Sequence, residues 1–261
     1  MRPGDRLEQL LQEGPVVGWN LTVYPEAREA SGRLWATIDT WPGRRGEPGQ
    51  GRNPERTGEI AASRARTKIR RYCVANRTNR FWTLTYDGEG CHDPLVLRSD
   101  LGQFFRELRT VRNGERFPYV WVPEWHKTDH GLHAHFVCDR FIHRSVIAEA
   151  WQRTPGHGFV KGKLIGDLGV AATRADEARI AARYISKYMD KDVDEKRVLG
   201  LHRYDCAQGF QPRKFTVPGP KLDQAIERAA DLMGGFPTKV TNSGEWPNWS
   251  GPTAVALTWA S

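Results

Sequence analysis

What most limits the fold of this chain is a hydrophobic period that switches repeatedly between two and about 3.6 residues from Phe81 onward. The run Phe81-Trp82-Thr83-Leu84-Thr85-Tyr86 is rich in aromatic and β-branched residues, reads as a strand, and ends at Asp87-Gly88. Ser99 or Asp100 then caps a helix with apolar residues at Leu101, Phe104, Phe105, Leu108 and Val111, stopped by Asn113-Gly114. A second strand over 119–126 contains Pro123, which lacks a ladder donor and suits an edge. A tight turn through Thr128-Asp129-His130-Gly131 leads to a third strand over 133–138. A short helix near 145–151, a fourth strand over 158–165 and a helix from about 175 to 189 follow. The order β-α-β-β-α-β, then α, is that of an α+β chain with the split βαβ of ferredoxin-like and RRM-like folds. In that topology the first and third strands are central neighbours of an antiparallel sheet. His133 and His135 then ride a central strand, and Tyr184 and Tyr188 a flanking helix.

Outside this block the pattern weakens. The Gly/Pro/Arg-rich stretch 41–52 cannot build a core, so residues 1–56 are expected to form a poorly ordered basic extension with at most a small β element over 16–38. The main domain is expected over 57–235, closing with a helix over 222–233, and 236–261 as an irregular tail. The main domain opens on a basic helix over 59–74 carrying Arg64, Arg66, Lys68, Arg70 and Arg71. That face suits a DNA backbone or simply water.

Charge narrows the partner. The formal net charge is +8 over 261 residues, which favours a polyanion because phosphate neutralisation dominates nucleic-acid affinity. The four cysteines, Cys73, Cys91, Cys138 and Cys206, form no C-x-x-C pair, which argues against a zinc ribbon and for reduced thiols in the cytoplasm. No apolar run approaches membrane-spanning length and no signal-peptide core is visible, so a cytoplasmic protein without a membrane partner is expected.

The chemistry concentrates in two runs. On a strand, residues two apart point the same way, so His133 and His135 project together, spaced for one cation. With Asp129 and His130 at the centre of the hairpin, Glu124 falls opposite His135 and His126 opposite His133, all on one face. Imidazoles with a carboxylate suit Mg²⁺ or Mn²⁺, and Glu124 ranks ahead of His126 as third ligand for a hard cation. A one-residue bulge would reverse this face. Downstream, Tyr184, Lys187, Tyr188 and Lys191 fall at i, i+3, i+4 and i+7, one helix face. Such residues often serve as packing with snorkelling lysines. Here Ile180, Ala181, Ile185 and Met189 already supply an apolar stripe. A lysine three residues beyond each phenol would favour phenolate and stabilise phosphate charge.

These runs resemble the three motifs of the HUH endonuclease superfamily, and within it the rolling-circle replication initiators. Phe81 to Tyr86 is similar to the first motif and His133-Ala134-His135 to the second, with Ala134 small where a bulky residue is usual. Tyr184-Ile185-Ser186-Lys187-Tyr188-Met189-Asp190-Lys191 resembles the third motif of two-tyrosine initiators from small single-stranded DNA phages. Gly200-Leu201-His202-Arg203-Tyr204-Asp205 is similar to initiators of actinobacterial plasmids. The resemblance covers roughly 60–215. It implies a site-specific nickase and strand transferase using Mg²⁺ or Mn²⁺, with Tyr184 and Tyr188 as alternating nucleophiles, a 5′-phosphotyrosine and a free 3′-OH. Lys187 is expected beside the scissile phosphate, with Lys191 and Arg203 among the DNA contacts. Single-stranded and origin DNA are the expected partners; with no Walker A motif, a host helicase and polymerase are expected too. Rival readings are a transposase or relaxase of the same chemistry, and a non-catalytic ferredoxin-like binding module stacking bases on Phe81, Trp82 and Tyr86.

Overall fold

A computed structural model describes residues 17–36, 54–165, 173–189, 204–247 and 253–260. It divides into two compact units, Met1–Gly46 with Arg213–Ser261, and Glu47–Pro212.

The second unit carries α1 (Pro54–Ala75), β3 (Arg80–Tyr86), α2 (Pro94–Val111), β4 (Tyr119–Trp125), β5 (Leu132–Cys138), α3 (Arg144–Gln152), β6 (Gly158–Leu164), α4 (Arg174–Ser186) and the two-residue β7 (Asp205–Cys206). Its antiparallel sheet has the order β6-β3-β5-β4-β7. The first four strands are thus arranged as in a ferredoxin-like sheet, with β3 and β5 adjacent at the centre. β7 borders β4 only at Val120 and Trp121, so Pro123 sits where no outer strand asks for an N–H.

Alternation along the strands sends side chains to two different cores. Trp82, Leu84, Tyr86 and Phe136 pack against Leu101, Phe104 and Phe105 of α2 and Trp151 of α3. Phe81, Val120, Val122 and Val137 pack on the opposite face against Ile69, Tyr72 and Cys73 of α1 and Ala181, Ala182 and Ile185 of α4. The i, i+3, i+4 spacing of Ile69, Tyr72 and Cys73 turns one stripe of α1 inward and leaves Arg64 and Lys68 exposed.

Helix α2 starts earlier than expected from Ser99 or Asp100. Asp93 is the N-cap, accepting from Leu95 N at 2.7 Å, and Pro94 opens the helix with its φ already set. Asp100 is instead buried within the helix, where it accepts a 3.0 Å hydrogen bond from Tyr86 Oη.

The ends of the chain depart from the expected division. Rather than a poorly ordered extension and an irregular tail, β1 (Val17–Tyr24), β2 (Glu29–Ala36), β8 (Phe215–Gly219), β9 (Lys239–Asn242) and β10 (Ala254–Thr258) form a second antiparallel sheet, ordered β8-β1-β2-β10-β9. α5 (Leu222–Met233) spans the expected helix but belongs to this unit: Ala225, Ala229 and Met233 pack on Trp19, Leu21, Val23, Val255 and Leu257. A main domain ending at 235 is therefore corrected to one ending at Pro212, because β8 pairs with β1 through backbone hydrogen bonds. Of the expected extension, residues 1–16 and 37–53 lie outside the described residues. All four cysteines are free thiols, three of them buried. No helix among the described residues is long and apolar enough to cross a membrane.

Candidate active site

The β4–β5 hairpin decides which groups meet His133 and His135. Glu124 pairs with His133, and Val122 with His135. His126 N donates to Gly131 O at 2.7 Å, so the loop contains Lys127, Thr128, Asp129 and His130 rather than two central residues. The expected register is corrected by two positions. An even slip keeps every side chain on its face, so Glu124 still joins the histidine face. It reaches diagonally to His135, whose Nε2–H donates to Glu124 Oε2 at 2.7 Å. His126 lies opposite Gly131 but swings back to stack on His133, with ring centroids 4.4 Å apart.

Two threonines aim the imidazoles. His133 Nδ1 lies 2.9 Å from Thr85 Oγ1, and His135 Nδ1 lies 2.9 Å from Thr83 Oγ1. Both threonines come from β3, directly paired with the histidines they touch. The two rings are parallel within 6°, centroids 6.4 Å apart. With Nδ1 held, each ring presents Nε2 outward, the second-partner arrangement usual for histidines that bind metal. His133 Nε2 is buried and has no hydrogen-bond partner. Burial, then the neighbouring His126 and His135, push the His133 pKa down to about 4, which keeps it neutral as a ligand must be. Among the described residues no three His, Cys, Asp or Glu groups stand ready-spaced around a cation. The bond from His135 to Glu124 closes that space. In donor type the group fits: two imidazole nitrogens, one of them orphaned, and a carboxylate, with entry of a cation requiring loss of the His135 Nε2 proton.

The tyrosines come to the same face. α4 begins with a capping box between Thr173 and Asp176 and gives way to a 3-10 turn over Lys187–Met189. Ala178, Ala181 and Ala182 are buried. Their short side chains let the helix lie close to its neighbours. Tyr188 stacks on His135, ring centroids 4.0 Å apart, and Tyr184 meets Phe81 edge-on at 5.0 Å. The tyrosine rings are 5.8 Å apart. Lys187 Nζ lies 5.6 Å and Lys163 Nζ 5.8 Å from the centre of the Tyr184 ring. Burial, then the Tyr184 hydroxyl, push the Tyr188 phenol above its ordinary range, and Glu124 adds to this. The expected pull of a lysine toward phenolate is outweighed there.

Beside this cluster, Arg66 and Arg70 of α1 and Arg179, Arg183 and Lys187 of α4 line a groove of about 380 Å³ floored by Ala182 and Ser186. Arg64, Lys68 and Arg71 lie on the same helix as Arg66 and Arg70 but outside the groove lining, and Lys191 and Arg203 lie outside the described residues. Sequence reasoning missed Thr83, Thr85, Lys163, Arg179 and Arg183. Alternation along β3, applied as it is along β5, puts Phe81, Thr83 and Thr85 on one face and would have found the two threonines. Trp82 and Tyr86 are buried in the opposite core and Phe81 lies beneath the tyrosines, so none of the three is open to stack bases as the binding-module rival requires.

Residues 79–193 match a family of replication-associated proteins, the one named for ORF2 and the gene II protein. The match supports a Rep-type replication initiator with DNA as its partner. It spans β3 through the 3-10 turn, and so includes Thr83, Thr85, Glu124, both histidines and both tyrosines. No curated protein and no solved structure matches the chain.

Proposed function

We propose that the protein is an HUH-type rolling-circle initiator that nicks single-stranded origin DNA through Tyr184 or Tyr188. The observation that carries this reading is the stacking of Tyr188 on His135, which puts a phenol beside paired imidazoles. His133, His135 and Glu124 would hold Mg²⁺ or Mn²⁺, which when bound polarises a phosphate oxygen and offsets charge in the transition state. The phenol oxygen attacks phosphorus in line, the bond from phosphorus to the 3′ oxygen breaks, and that oxygen leaves as a 3′-OH after taking a proton. The 5′ phosphate stays on tyrosine as an ester. Its bond energy is retained, so attack by another 3′-OH can rejoin a strand without further energy. Lys187 and Lys163 supply positive charge beside Tyr184. Two tyrosines within 5.8 Å permit a second cleavage while the first ester persists.

The test is a covalent adduct. Incubated with single-stranded origin DNA and Mn²⁺, the protein should give a protein–DNA species that survives denaturant. Tyr184→Phe/Tyr188→Phe should give none. Undiminished adduct from that double variant refutes the nucleophile assignment.

A further inference from the structure

The sheet face that holds the histidines continues to an open edge. Across β6, β3, β5 and β4, one row runs Lys161, Thr83, His135 and Val122. A second places Phe159 beside Thr85, His133 and Glu124. Directly paired residues share a face, so Phe159, Lys161 and Lys163 all project on the side of His133 and His135. Their intervening neighbour Val160 is buried in the opposite core. Phe159 is 69 % exposed, although it is a large aromatic on an ordered strand. Both lysines are exposed, and Lys163 already reaches over Tyr184. With strands about 4.8 Å apart, Phe159 stands two strands, or roughly 10 Å, from His133.

We infer that Phe159, Lys161 and Lys163 form a docking strip for the single-stranded DNA that flanks the scissile phosphate. One base stacks on Phe159, and neighbouring phosphates meet the two lysines. An aromatic face is sequence-tolerant, and alternation with cations is how single strands are held. Duplex bases, stacked on each other, offer Phe159 no free face, so the strip selects single strands. The competing explanation is edge protection, since lysines on an outer strand also discourage strand-to-strand aggregation. That role needs no exposed phenyl ring on the histidine side. The inference rests on the nicking reading for what lies next to the strip, but the binding it describes needs no cleavage.

The experiment measures binding of a fluorescein-labelled oligothymidylate by the full chain in chelator, with a hairpin duplex as comparison. Phe159→Ala should weaken single-strand binding by about 5- to 100-fold. Phe159→Leu should lose as much, and Phe159→Trp should bind as the parent does. Lys161→Gln/Lys163→Gln should reduce the slope of log affinity against log salt by about 1.4, two phosphates' worth. Duplex binding and melting temperature should not change with Phe159, because the ring is outside the core. Unchanged oligothymidylate binding in Phe159→Ala overturns the strip, as does a lysine double variant that alters only solubility. Lost binding in Phe159→Ala, with no covalent adduct from the wild type on origin DNA, would keep the strip and remove the nicking chemistry.

Discussion

Tyr188 and His135 lie face to face, ring centroids 4.0 Å apart and planes 27° apart, although fifty-three residues separate them in the chain. The contact exists because β5 is central and α4 packs on the same face, through Ala181, Ala182 and Ile185. It means that any group held by the His135 Nε2 edge is within reach of the Tyr188 hydroxyl. It also accounts for the raised phenol of Tyr188, which is buried among aromatic rings. Such a phenol stays protonated at neutral pH, so its activation must come from the substrate side of the reaction.

Thr83 and Thr85 hold the imidazoles by Nδ1 and touch nothing else in the proposed chemistry. Thr83→Val and Thr85→Val should each lower Mn²⁺ affinity by about 10- to 100-fold, the usual effect of losing a ligand's outer partner. Calorimetric titration with Mn²⁺ checks this. Equal affinity in both variants would detach the threonines from metal binding.

His133 ties stability to pH. Its folded pKa is about 4 and its ordinary value 6.5, with burial the main cause. Between those values the unfolded chain binds the extra proton, so stability should rise with pH across that window and fall as pH drops through it. The ceiling is about 3 kcal/mol, and the His126 and Glu124 neighbours will reshape it. Urea unfolding without divalent ions, followed from pH 4 to 7, should show the slope, and His133→Gln should flatten it. A variant as pH-dependent as the parent would assign the slope to other groups.

Gly131 closes the hairpin before β5 with φ +80°, and a Cβ there would stand 2.2 Å from Cys91 O. Leu132 N donates to that same carbonyl at 2.6 Å. Gly131→Ala should therefore destabilise by about 1–3 kcal/mol, through left-handed strain and loss of the Cys91 contact. Thermal or urea unfolding measures it. Native-like stability would show that the loop relaxes without disturbing the histidines.

The groove between α1 and α4 should bind phosphates. Arg70→Gln/Arg183→Gln should weaken DNA binding without regard to sequence and lower the single-strand salt slope by about 1.4. Fluorescence anisotropy across a salt series reads both. Arg179 is left in place, since it also holds Asp176 in the first turn of α4. An unchanged slope would make these arginines a solvated face.

What this chain's sequence determined alone follows from period and spacing. Alternation put His133 and His135 on one face, the 3.6-residue repeat put Tyr184 beside Tyr188, and the order of strands and helices led to the β6-β3-β5-β4 sheet. These are local properties, set by how successive side chains leave a backbone. Face survives an even slip in register, so Glu124 was placed on the right side of β4 even though its partner was not. The strands of the first unit were less legible. Trp19, Leu21 and Val23 do alternate, but β1 and β2 find their sheet partners some two hundred residues away, at β8 and β10. Only tertiary structure decided that Tyr86 and Asp100 meet in a core, that Lys187 and Lys163 converge on Tyr184, and that Tyr188 lies on His135. Those pairings depend on which faces of distant elements are buried together, a matter of packing that no local repeat encodes.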